Sequence, residues 1–167
     1  ESLYEFGTGS PTIKMLVGHH LPFQPPVPLT FMKRTERKII QAFSKHYPKL
    51  GDFSMTHDMS PYDFECDYYI IEIKSRNKRY DPWIIERIKV DSNTGIAESL
   101  KKDFLYLTEY NGNAYIWNIS QLIRDNYDFK WEQRQMPWQT EFDKNQVIQK
   151  QVGYLFEKKC KQIKLWN

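Results

Sequence analysis

The sequence predicts a mixed α/β domain built on a central sheet, on three observations. Residues 69–74, Tyr-Ile-Ile-Glu-Ile-Lys, form a β-branched and aromatic run of strand length bounded by turn residues. Two apolar runs, 104–110 and 114–119, flank Asn111-Gly112-Asn113, and an Asn-Gly pair between such runs signals a β-hairpin. Phe31, Ile39, Phe43 and Tyr47 recur at near-helical spacing, with Ile40 widening the stripe.

In chain order, residues 1–30 read as an extended arm, with the first ten given no role in the fold. Pro22, Pro25, Pro26 and Pro28 fix their own φ and push their predecessors out of the helical region. A helix over 31–47 follows, with Thr30 or Thr35 as its cap and Pro48 and Gly51 ending it. Residues 52–57 read as a short strand, 58–63 as a turn, and the strongest strand comes next. Asp81-Pro82 reads as a helix start, an N-cap acceptor followed by proline at the first helical position. That helix carries Trp83, Ile84, Ile85 and Ile88 and breaks near Asp91–Gly95, with a second short helix over 96–102. After the hairpin, a short helix begins at Ser120 as cap, residues 147–156 read as a strand, and 157–166 as a terminal helix. Trp83 and Trp117 read as core; Trp131 and Trp138 stay open between core and surface.

The chain has 167 residues, 40% hydrophobic and 16% aromatic, which fits one domain with a proper core and argues against disorder. Net charge is +3 with pI near 8.7, compatible with a nucleic-acid partner without establishing one. Cys66 and Cys160 lack the pairing of a disulfide framework and the spacing of a zinc site, so two reduced thiols and a cytoplasmic location are expected. No apolar run reaches the roughly 18 residues that cross a bilayer, and no signal peptide is visible. His19, His20, His46 and His57 show no metal-ligand spacing.

Three Glu-x-Lys tripeptides occur, at 36–38, 72–74 and 157–159, so the tripeptide alone carries little. The first and third fall in expected helices among solvated neighbours. Only Glu72-Ile73-Lys74 ends an apolar strand, and alternation along a strand puts Glu72 and Lys74 on one face. Charges are rarely buried unpaired, so this placement asks for a reason. One reason is a strand-end salt bridge. The other is chemical. Phosphodiester hydrolysis needs a nucleophilic water and neutralisation of the phosphate charge, and a divalent cation supplies both. Mg²⁺ prefers one or two carboxylates plus waters and phosphate oxygens. Two carboxylates about 4 Å apart repel by roughly 4 kcal/mol at an effective dielectric of 20, which a cation relieves. Asp58, Asp63, Glu65 and Asp67 compete as the upstream acid. Asp63 is favoured because it sits at the lip of an apolar segment nine residues before Glu72. Lys74 would orient the water and offset charge in the transition state.

The segment 60–77, Ser-Pro-Tyr-Asp-Phe-Glu-Cys-Asp-Tyr-Tyr-Ile-Ile-Glu-Ile-Lys-Ser-Arg-Asn, resembles the active-site hairpin of the PD-(D/E)XK nuclease superfamily. That pattern is an Asp at a strand start, a spacer, then an apolar strand ending in Glu-x-Lys. Asp63, Glu72 and Lys74 match it, and Pro61 is displaced by one residue from the usual Pro-Asp pair. The likeness is strongest to small phage and large-virus members, covers roughly 31–122, and leaves 123–167 as a C-terminal extension packing on that core. It implies a restriction-endonuclease-like core, a central mixed four-stranded sheet flanked by helices. It further implies a Mg²⁺-dependent nuclease, with Mn²⁺ able to substitute, in which Asp63 and Glu72 hold metal. Superfamily members often add a Glu from the first helix, and Glu36 is the matching candidate. The expected substrate is DNA, duplex or branched, with RNA left open, and a homodimer is compatible. In a viral setting the location would be the host-cell interior. Basic residues after the motif, Arg76, Lys78, Arg79 and Lys89, read as a phosphate-tracking surface, or else as a solvated loop and helix face. The rival function is a nucleic-acid-binding or phage assembly protein of the same fold that cuts little or not at all; an ion-pair network in a structural domain is the third possibility.

Overall fold

The computed structural model describes residues 30–57, 60–139 and 143–166, with the side chains of 30–34, 138–139 and 143–146 left out. The expected N-terminal arm lies outside the described residues. The fold is mixed α/β; the described residues form three α-helices, α1 (Thr30–His46), α2 (Arg87–Ser99) and α3 (Ile119–Arg124), and two sheets. The larger, six-stranded sheet runs β1 (Ser54–Met55), β2 (Phe64–Glu65), β3 (Tyr69–Arg76), β5 (Asp103–Tyr110), β6 (Asn113–Asn118), β9 (Lys161–Lys164). The smaller orders β4 (Trp83–Glu86), β8 (Asp143–Leu155), β7 (Glu132–Gln139). Among the described residues only β3 and β5 pair in parallel, from Tyr69↔Asp103 to Arg76↔Tyr110, and α2 lies in the crossover between them.

Strand alternation divides the core into two layers. On one face of the large sheet Ile71, Ile73, Leu105, Leu107, Ala114 and Ile116 pack on Ile39, Ile40 and Phe43 of α1. On the other, Ile70, Phe104, Tyr106, Tyr115 and Trp117 pack on Val90 and Ala97 of α2, on α3, and on Trp83, Ile85 and Leu155 of the small sheet. Each fully buried aliphatic or aromatic side chain contributes about 1.5–3 kcal/mol of transfer free energy. Trp83 and Trp117 are core, as expected. No helix among the described residues is long and apolar enough to cross a membrane.

The β5–β6 hairpin forms as the sequence predicts. Asn111 (φ 49°) and Gly112 (φ 76°) both adopt the left-handed conformation that a two-residue primed turn requires. A Cβ on Gly112 would also lie 2.6 Å from the Trp166 carbonyl oxygen. Five expectations are corrected. The segment after Asp81-Pro82 is strand, not helix: Trp83 and Ile85 point inward and pair with β8 at Leu155 and Gly153. Helix α2 starts only at Arg87 and runs unbroken through Asp91–Gly95, because Val90 and Ala97 on either side are packed into the core and Asn93 between them is buried, so tertiary packing overrides the local break signal. The cap of α3 is Asn118, whose side chain accepts from the Gln121 amide, while Ser120 Oγ accepts from the Phe104 amide at 2.9 Å. Residues 157–166 form a 3₁₀ turn and then β9, an edge strand on β6. Its exposed Lys161 and Lys164 suit an edge that must not recruit further strands. The C-terminal third thus supplies strands to both sheets, and the central sheet has six strands rather than four.

Candidate active site

Asp63 enters the site through its own backbone. Its amide donates to the Ile71 carbonyl at 2.9 Å, and its carbonyl accepts from the Thr56 amide at 3.0 Å. The carboxylate Oδ2 accepts from the Ile73 amide at 2.7 Å, standing in for a main-chain carbonyl of the ladder. Asp63 directly precedes β2, whose Phe64 pairs with Ile71, and its carboxyl lies close enough to Glu72 to feel that charge. Phe64, Ile71 and Ile73 belong to the α1 layer, so Asp63, Glu72 and Lys74 face the α2 layer together.

Of the rival acids, Glu65 pairs with the Tyr62 hydroxyl at 3.1 Å and with Lys102 at 3.8 Å, and Asp67 is exposed. Asp58 lies outside the described residues.

Glu72 is 1% exposed. Its Oε1 lies 2.7 Å from Lys74 Nζ and 3.1 Å from Lys89 Nζ. Two ion pairs rather than a well-aligned hydrogen bond hold that buried oxygen. Lys89 comes from α2 and also donates to the Pro61 carbonyl at 2.9 Å. Asn93, one turn further along α2 and fully buried, donates to the same carbonyl at 3.2 Å. The result is a net-neutral cluster of two carboxylates and two ammonium groups.

The environment sets the protonation states. Burial, then the Glu72 charge, pushes the Asp63 carboxyl up to about 6, against the opposing pull of the Ile73 amide, Lys74 and Lys89. Burial is the largest influence on the Lys74 ammonium and lowers it, but the Glu72 charge, with smaller help from Tyr106, the contact with the Glu72 carboxylate and Asp63, together outweigh it and hold Lys74 above the ordinary lysine range. Tyr106 pairs with Glu72 in the parallel register and is fully buried beneath the cluster. Its phenol is raised by burial, with Arg76 and Lys74 pulling the other way.

The small sheet roofs this face. A cavity of about 20 Å³, lined in part by Lys74, Arg76, Glu86, Lys89, Tyr106 and Met136, lies beneath it. That is room for about one water and no more. The cluster reaches solvent where the side chains of Lys74 (38% exposed) and Lys89 (31% exposed) emerge.

The remaining expected residues are less concentrated. Glu36 is half-buried on α1, which packs against the opposite face of β3, and the contacts that define the cluster run to α2 instead. Arg76 lines the cavity beside the Tyr80 ring, and Lys78 is exposed. Arg79 makes a two-pronged pair with Glu157, which also accepts from the Trp83 indole. Asn93 and Tyr106 were not singled out by the sequence: Asn93 sits within what reads as a helix break, and Tyr106 reads as one more core aromatic.

Two neighbouring carboxylates, one with a buried oxygen lacking an aligned donor, fit a hard cation that takes its other ligands from water and phosphate. They do not fit zinc, and among the described residues no group of three or more His, Cys, Asp or Glu side chains is placed to hold a metal. No protein-family model, curated protein or solved structure matches the chain.

Proposed function

We propose that the chain is a metal-dependent nuclease that hydrolyses phosphodiester bonds of DNA with a metal-activated water. The observation that carries the reading is Asp63, directly before β2, set close to Glu72 of β3, with Lys74 on the same face. The arrangement of β1, β2, β3 and β5 supports it too: three antiparallel strands, a crossover through α2 to a parallel fourth, α1 on one face and α2 on the other. We read that unit as a restriction-endonuclease-like core of the PD-(D/E)XK type.

Asp63 and Glu72 would hold Mg²⁺ or Mn²⁺, which when bound supplies an acidified water and neutralises phosphate charge. The Ile73 amide fixes the Asp63 carboxylate so that it does not have to reorganise during reaction. Lys74, kept protonated by Glu72, orients the attacking water and offsets charge on the phosphorane-like transition state. The roof excludes a nucleic-acid strand from above, so the backbone approaches at the Lys74–Lys89 opening, where Arg76 and Lys78 extend the positive surface.

A binding or assembly protein that does not cut is favoured by one observation, the pairing of Glu72 with two ammonium groups, Lys74 and Lys89, where a cation would otherwise sit. Cleavage of linear, branched and single-stranded DNA and of RNA, with Mg²⁺ and Mn²⁺, decides between them. Lys74→Met and Glu72→Gln are each expected to cost about 10²-fold or more in kcat. Variants that cut as well as the parent contradict the nuclease reading, and tight binding without cleavage under any metal supports the rival.

A further inference from the structure

We infer that Lys89 is the resident counter-ion of the cation site: its ammonium stands beside Glu72 until a divalent cation takes that place, and it then swings toward the substrate backbone. The inference rests on the nuclease reading for the identity of the site. It concerns a different property, the exchange of one cation for another.

Glu72 cannot leave the site, since its side chain is buried and spans the space between β3 and α2. Lys74 sits two residues from Glu72 on the same strand face and is the nearer partner at 2.7 Å. Lys89 is the partner built to depart. Its side chain is 31% exposed, so the ammonium has a path to water. Its other bond is to the Pro61 carbonyl, and Asn93 donates to that same oxygen. When Lys89 withdraws, Pro61 keeps one donor and no buried carbonyl is orphaned. Glu72 Oε1 is left facing Lys74 and whatever replaces Lys89, and its lack of an aligned donor gives the ammonium no directional hold on it. A divalent ion set between Asp63 and Glu72 would repel a third positive charge at contact distance, so both cannot stay. Once freed, the ammonium lies at the opening where the phosphate must arrive.

A plain strut tying α2 to the Pro61 loop would contribute stability and leave metal affinity alone. Titration calorimetry of the full chain with MgCl₂, and with CaCl₂ as a non-cleaving probe, separates the two. Lys89→Gln keeps a donor near Pro61 without the charge, and is expected to bind the cation about tenfold or more tighter than the parent. Lys89→Arg keeps the charge and is expected to bind as weakly as the parent. Equal or weaker binding by Lys89→Gln overturns the inference. The parent offers a second test that needs no variant. Acetylation of Lys89, followed by peptide mass spectrometry, should speed up several-fold on adding Mg²⁺, and an unchanged rate overturns the inference. A parent that binds Mg²⁺ and releases Lys89 but cuts nothing would refute the nuclease reading and leave this one standing. A parent that cuts with Mg²⁺ while Lys89→Gln binds it no tighter would do the reverse. A parent that binds no divalent cation refutes both.

Discussion

Replacing Asp63 by Asn should stabilise the metal-free protein while removing its capacity for a divalent cation. A carboxyl held near 6 instead of its ordinary 3.8 costs the ionised native state roughly 3 kcal/mol at neutral pH, and water at its partly exposed edge reduces that to about 1–3 kcal/mol. The sign follows from proton counts. Between pH 4 and 6 the native state binds the Asp63 proton and the unfolded chain does not, so this group favours folding at low pH. Its contribution is lost as pH rises through 6. The Asn side chain keeps an oxygen for the Ile73 amide and carries no charge to repel Glu72. At pH 8, without metal, Asp63→Asn should therefore melt roughly 3–8 °C above the parent, given about 2–4 °C per kcal/mol for a chain of this size. At pH 4.5, still above 3.8 but well below 6, the gap should shrink to about a third. Adding Mg²⁺ should raise the parent's Tm and leave the variant's unchanged, since only a native state that binds is stabilised. Melting followed by circular dichroism at both pH values, with and without Mg²⁺, reads all three. A variant that is neutral or less stable at pH 8, or a gap as large at pH 4.5 as at pH 8, refutes the reasoning that Asp63 is held ionised against its environment.

Two further substitutions test the frame that holds the site. Gly112→Ala forces a side chain into positive φ and against the Trp166 carbonyl, and should cost more than about 1 kcal/mol in urea unfolding. Ser120→Ala leaves the buried Phe104 amide without its acceptor and should cost about 1–3 kcal/mol; a cost near zero would mean the amide finds another partner.

The parts legible in the sequence are those whose local signal and tertiary role agree. Tyr69–Lys74 is β-branched and pairs on both sides, Asn111-Gly112 fits one turn type, and Ile39, Ile40 and Phe43 share a helix face that does pack. The Asp63–Glu72–Lys74 cluster was readable because strand alternation fixes which side chains face together. Residues 82–89 misled because proline after aspartate suits a helix start, and the partner that makes Trp83–Glu86 a strand lies some seventy residues on, at Val152–Leu155. The lysine-rich end misled similarly. Its charges suit a solvated helix face, and only the open edge of β6 makes it a strand. Asn93 was hidden by composition, since a helix break and a buried side chain bonding Pro61 read alike in Asp-Ser-Asn-Thr-Gly.

The central claim is that Asp63 and Glu72 share a divalent cation, and a crystal structure from Mn²⁺-soaked protein tests it most directly. The expected result is one anomalous peak between the two carboxylates, about 2.0–2.3 Å from an oxygen of each. Manganese found elsewhere, or absent with both ammonium groups still seated on Glu72, would leave the four charges as an internal ion-pair network and contradict the claim.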